Sequence, residues 1–181
     1  MRKTAACAFT AVLMLWPAIA LTQTSAPPTT ATDVLKADIQ AAMKRAVQDL
    51  KPGVAVIDHL MSLPDMGKYN VGVAVIARPA GTFSTYLSHD RITEIYYVLQ
   101  GSGVQATGPL VNGTRNATVS KAIGPSLSSN VTLSNARSTR LGPGDVQIIP
   151  PGVGHGFTSV DPGGIEYLIF RIDPDHLLAL E

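Results

Sequence analysis

The stretch Gly142–Phe157, GPGDVQIIPPGVGHGF, decides how the rest of the chain is read. Gly144-Asp145 suits a tight turn, Val146–Ile149 a short strand, and Pro150-Pro151-Gly152 forces a second change of direction. His155 follows at the head of the next strand-like run. The segment therefore reads strand, turn, strand, with an imidazole delivered just past the turn.

Outward from it, the same grammar repeats. From Gly53 the sequence breaks into short β-type runs, NVGVAVIA, GTFSTYLS, TEIYYVLQ, GVQATG, ATVSKA, DVQIIP, GHGFTSV and IEYLIFRI, separated by Gly, Pro, Asn and Asp. Many short strands without intervening helices predict an all-β antiparallel sandwich or barrel over residues 53–175. Residues 109–141, rich in Asn, Ser, Thr and Gly, read as a long excursion at one end carrying one or two ragged strands. Its three Asn-x-Thr triplets, at Asn112, Asn116 and Asn130, read as chance products of that composition.

Ahead of the β region, Leu35, Ile39, Ala42, Ala46 and Leu50 recur at helical spacing, predicting an amphipathic helix within 33–52, capped by Thr32 or Asp33 and stopped by Pro52-Gly53. Residues 21–32 read as a flexible linker. Residues 1–20 have the form of an export signal: Arg2 and Lys3, an apolar run, and Ala18 and Ala20 before the cut. The expected location is periplasmic or extracellular. Residues 176–181 form a tail that includes a helical turn.

The charge balance narrows the function. With 14 Lys and Arg against 13 Asp and Glu, dispersed along the chain, no basic field is available for nucleic acid, nor for a membrane surface once the signal is removed. The single cysteine, Cys7, lies inside the signal, so any metal in the mature chain must be held by nitrogen and oxygen.

In TEIYYVL, Glu94, Tyr96 and Val98 share one strand face and Ile95, Tyr97 and Leu99 the other. A carboxylate on that mostly apolar face needs a cation, a donor network or solvent. His89, five residues earlier across the break DRIT, can aim at the same point, and His155 can arrive from the distant Gly142–Phe157 stretch. Two imidazoles and one carboxylate make a three-ligand set with open positions, suited to Fe(II), Mn(II), Ni(II) or catalytic Zn(II).

On these residues the chain resembles the cupin superfamily, whose members have a small jelly-roll barrel of the double-stranded β-helix type. Its first motif runs His-x-His, three or four residues, Glu, six residues, Gly; His89, Glu94 and Gly101 match its second His, its Glu and its Gly. Its second runs Gly, five residues, Pro-x-Gly, two residues, His, three residues, Asn; Gly144, Pro150, Gly152 and His155 match, with Ser159 at the Asn position. The family's first His falls on Leu87. The resemblance thus implies His89, Glu94 and His155 as metal ligands, one fewer than usual, in a single barrel with motifs at 89–101 and 144–159 and a possible homodimer.

Two functions follow. One is an exported enzyme of the dioxygenase, decarboxylase or isomerase type acting on a small oxygenated molecule, with Glu94 and Tyr96 at the reacting centre. The other is a barrel that binds a sugar, phenolic or organic acid without turnover, with or without metal. Phe157 and Val98 are expected in the barrel wall. Arg171 is expected at a solvated edge, the alternative being contact with a substrate carboxylate. Asp90 is expected to cap its own turn, with a fourth oxygen ligand as the alternative. Arg91 is expected at the surface, and His59 and His176 away from any site.

Overall fold

Two long strands, Thr93–Gly108 and Gly154–Asp173, organise the described residues. The computed structural model describes Ala26 and residues 28–180; the expected export signal and half of the expected linker lie outside the described residues. In chain order the elements are helix α1 (Lys36–Asp49) and strands β1 (Ile57–Ser62), β2 (Asn70–Arg78), β3 (Gly81–Thr82), β4 (Tyr86–His89), β5 (Thr93–Gly108), β6 (Thr114–Arg115), β7 (Ser126–Ser129), β8 (Arg137–Leu141), β9 (Val146–Ile149) and β10 (Gly154–Asp173).

The pairing is antiparallel throughout. β10 runs beside β5 from Gly154↔Gly108 to Ile172↔Thr93, and its far side takes β2 along Ile165–Asp173 and the short β3 and β4. The other side of β5 takes β9 and β8. β1 extends the sheet beyond β2, and β7 and β6 extend it beyond β4. Register shifts along the β5–β10 pair, the largest between Val160 and Ile165, let the two strands bend so that both halves of the sheet face one interior. The result is a jelly-roll arrangement with open edges.

Several expected strands are regrouped. TEIYYVLQ and GVQATG fuse into β5, and GHGFTSV and IEYLIFRI into β10, because the glycines between them make bulges within a continuing ladder. GTFSTYLS splits into β3 and β4, ATVSKA is not a strand, and β1 was not anticipated because IDHLMS carries three polar residues, Asp58, His59 and Ser62. Among its described residues the tail has no helical turn: after a turn at Pro174-Asp175 it is irregular, with His176 at φ 53°, Leu178 buried and the Leu178 N–H donated to Asp173 Oδ2 at 2.8 Å.

Periodicity explains the layers. From β2, Ala74 and Ile76 point into the barrel beside Tyr96, Val98, Phe157, Tyr167 and Ile169. Val75 and Ala77 point the other way, against Ala42, Met43 and Ala46 of α1 and Leu168 of β10. NVGVAVIA is apolar nearly throughout because both of its faces are covered. The helix starts later than expected, with Leu35 at its N-cap and no side-chain cap, so packing of its small-residue stripe rather than capping by Thr32 or Asp33 holds it.

One glycine is dictated by space. Gly101 has φ 72°, and a Cβ there would lie 2.0 Å from the Gly164 carbonyl oxygen across the β5–β10 bulge. Gly101→Ala is expected to cost more than the roughly 1–2 kcal/mol of left-handed strain alone, measurable as a lowered urea midpoint with an unchanged slope.

Candidate metal centre

Each half of the site is placed by backbone pairing. His89 ends β4, where it pairs with Ser126 of β7, and its carbonyl accepts the Gly152 N–H at 2.7 Å. That bond joins the first motif to the Pro150-Pro151-Gly152 turn, which Gly152 enters with φ 79°. Glu94 is the second residue of β5 and stands opposite Arg171 of β10 and Ile149 of β9. His155, second in β10, pairs with Leu87 and Thr107.

These placements bring His89, Glu94 and His155 together, all three buried, with one donor atom from each inside a mutual span of 4.8 Å. His89 Nε2 lies 3.4 Å and His155 Nε2 3.3 Å from the same oxygen, Glu94 Oε2. Ligand atoms about 2.0–2.1 Å from one ion stand roughly 3.0–3.4 Å apart, so the observed spacing fits a shared cation. The protonation pattern fits as well. His155 Nδ1 lies 3.0 Å from the Val153 carbonyl, which can only accept, so Nδ1 carries a proton and Nε2 is the ring nitrogen turned towards Glu94, as a metal ligand requires. An Nε2 and a carboxylate oxygen at that distance are stable only with a cation or a proton between them.

The carboxylate is also held by protein groups. Tyr96 donates its hydroxyl to Glu94 Oε2 at 3.0 Å, and Arg171 Nε donates to Oε1 at 2.9 Å. Arg171 then grips Asp58 of β1 with both terminal nitrogens, at 3.0 and 2.5 Å. This overturns the solvated-edge expectation for Arg171, which is 1% exposed. Its side chain lies on the barrel face of β10 with Tyr167 and Ile169, and only a paired guanidinium is stable there. A single arginine inside the apolar run IEYLIFRI, in phase with inward residues, is the signal that marks it. Asp58 carried no such signal, because β1 itself was not recognised.

The electrostatics follow. Burial works to raise the Glu94 carboxyl, but the Arg171 guanidinium, with His89 and His155, holds it well below the usual carboxylate range. Burial and the neighbouring Glu94 push the Tyr96 phenol well above its ordinary value, so it remains a proton donor. Because the Glu94 value is depressed on folding, its stabilising contribution is complete above the ordinary carboxylate range and disappears as pH falls through the lowered value. Urea midpoints between pH 7 and pH 3 are therefore expected to fall less steeply for Glu94→Gln than for the parent protein.

Asp90 takes neither expected role. Its carboxylate is paired with Arg115 Nη1 at 2.6 Å, and it is not among the residues that converge in the cluster. Arg91 is at the surface, bonded to Asp175 at 2.5 Å, and His59 and His176 are exposed. Val98 and Phe157 are both buried in the barrel core. Leu87 lines the same cavity as the ligand set. That cavity, about 540 Å³, is walled by Ile76, Phe83, Tyr96, Tyr167 and Ile169, with Arg78 and Gln105 among its polar groups.

A family profile described as Cupin matches residues 54–178, which takes in every strand of the barrel. The chain belongs to the cupin family. Among solved structures, this cupin is similar to an uncharacterized conserved protein with a double-stranded β-helix domain from Klebsiella pneumoniae, at 15% identity and a TM-score of 0.48 over 81% of this chain and 94% of the other. It is also similar to KdgF from Halomonas sp., at 18% identity and a TM-score of 0.41 over 70% and 85%. A third similar structure is the DMSP lyase DddQ from Ruegeria pomeroyi, at 21% identity and 0.38 over 60% and 41%. No curated protein matches the sequence of this cupin.

Proposed function

We propose that this cupin holds a divalent first-row metal through His89 Nε2, Glu94 Oε2 and His155 Nε2 and acts on a small oxygenated organic molecule in the barrel cavity. The observation that carries this reading is the convergence of both Nε2 atoms on one carboxylate oxygen, at 3.4 and 3.3 Å, with His155 oriented by the Val153 carbonyl. A dication bound there supplies Lewis acidity or oxygen activation. The chain contributes the rest. Arg171 keeps Glu94 ionised and fixed, Tyr96 holds a proton on its hydroxyl beside that carboxylate, and Phe83, Tyr96 and Tyr167 give the cavity aromatic walls.

Elemental analysis of the purified protein tests the proposal. About one equivalent of a first-row metal is expected, falling to a small fraction in Glu94→Gln; unchanged metal content in that variant would refute it. A metal-free binding barrel is the second reading, favoured by one observation: Arg171 already balances the Glu94 charge. Full ligand affinity after exhaustive chelation would select it. We also infer, from residues 1–20, that the protein works outside the cytoplasm, which mass spectrometry of secreted chain beginning at Leu21 would check.

A further inference from the structure

Two polar groups in the cavity have no function in the ligand set. Gln105, 1% exposed, lines the cavity with neither its carboxamide nitrogen nor its oxygen hydrogen-bonded. Leaving both unpaired in a protein interior is costly, and native structures seldom do so without a reason. Arg78, at the end of β2, donates its Nε to the Tyr167 hydroxyl at 2.9 Å and lies over the Phe157 ring, 5.5 Å from the centroid. Among the described residues it has no carboxylate within ion-pair distance; Asp58 and Glu94 are both taken by Arg171.

The two groups flank one residue. Gln105 is the cross-strand partner of Phe157, and Arg78 stacks on that ring. Arg78 reaches Glu94 only through Tyr167 and Tyr96, whose rings are 4.9 Å apart. The cavity therefore has a second polar pole beside the metal ligands. We infer that this pole recognises a small hydroxy acid, its carboxylate held by the Arg78 guanidinium and the Gln105 amide N–H and its hydroxyl donating to the Gln105 carbonyl oxygen.

Charge and donor supply point to this class. Arg171 is paired with both Asp58 and Glu94, so Arg78 is the ionic group of the lining left without a charged partner, and it is a cation. A planar carboxylate matches one guanidinium edge. A phosphate dianion would need more donors than one arginine and one amide provide. The free Gln105 oxygen requires a donor from the ligand, which a bare acid lacks and a hydroxy acid has. The inference deepens the functional reading above, because it names the molecule class for the same cavity, yet its groups are not metal ligands.

The test uses mandelate, whose ring suits the aromatic walls, with mandelamide, phenylacetate, lactate and inorganic phosphate as comparators, by calorimetry on chelated protein. Mandelate is expected to bind more tightly than mandelamide and phenylacetate. Arg78→Gln is expected to weaken mandelate at least about tenfold and leave mandelamide unchanged, since hydrogen bonds to a charged group are worth that much. Gln105→Leu is expected to weaken mandelate while holding or raising Tm, because it removes unpaired buried atoms; a purely structural glutamine would give the opposite Tm change. Equal affinity for mandelamide, unchanged affinity in both variants, no binding of mandelate or lactate, or tighter binding of phosphate would each overturn the inference. Metal analysis of the same preparations before chelation keeps the two readings separate: no bound first-row metal there, with the Arg78 dependence of mandelate binding intact, refutes the metal proposal alone.

Discussion

Arg171→Met is expected to be the most damaging single change in the barrel. The substitution fills similar volume but strips the cation from between Glu94 and Asp58, and breaking a buried pair by removing one partner costs about 3–5 kcal/mol. The lower part of that range applies, because the Asp58 side chain is 24% exposed and water can screen it. Urea unfolding measures the loss; a change below about 1 kcal/mol would mean that solvent already reaches Glu94. Two companion results are expected. Adding Glu94→Gln to Arg171→Met should recover part of the stability, since the two groups are coupled directly. Divalent metal should raise Tm more in Arg171→Met than in the parent, because the uncompensated carboxylate then gains more from a cation.

Leu87→His is expected to tighten metal binding. Leu87 lies two residues before His89 on β4, so the two side chains share a face, and it lines the cavity as the cross-strand partner of His155. A third imidazole there completes the family's usual donor set. The gain should be at least about tenfold, the scale on which even outer hydrogen-bond partners alter metal affinity. Competition with a chromophoric chelator measures it, with Leu87→Ala as the control for altered packing. Equal affinity in Leu87→His and the parent would place residue 87 out of reach of the ion.

The two motifs were legible because they rest on local rules. Strand parity put Glu94 and Tyr96 on one face, and glycine and proline punctuation located the turn before His155; both are properties of a few adjacent residues. What sequence could not supply was pairing between distant strands. Arg171 was misread because its partners, Glu94 and Asp58, are 77 and 113 residues away. Asp90 was misread for the same reason, since Arg115 arrives from the irregular excursion. Gln105 and Arg78 gave no signal at all: a glutamine in GVQATG and an arginine ending NVGVAVIAR look like ordinary strand residues until the cavity between them is seen.

The excursion over residues 109–141 is the least regular part of the barrel, yet its β7 is the strand that props up β4, pairing Ser126 with His89 and Ser129 with Tyr86. One imidazole of the candidate metal centre is thus braced by an irregular excursion, while the other is fixed by the twenty-residue β10. Insertions or deletions in that loop would slide His89 relative to Glu94 and His155 and leave all three residues unchanged. The excursion is accordingly the region to randomise when a different spacing of the three candidate ligands is wanted in this scaffold.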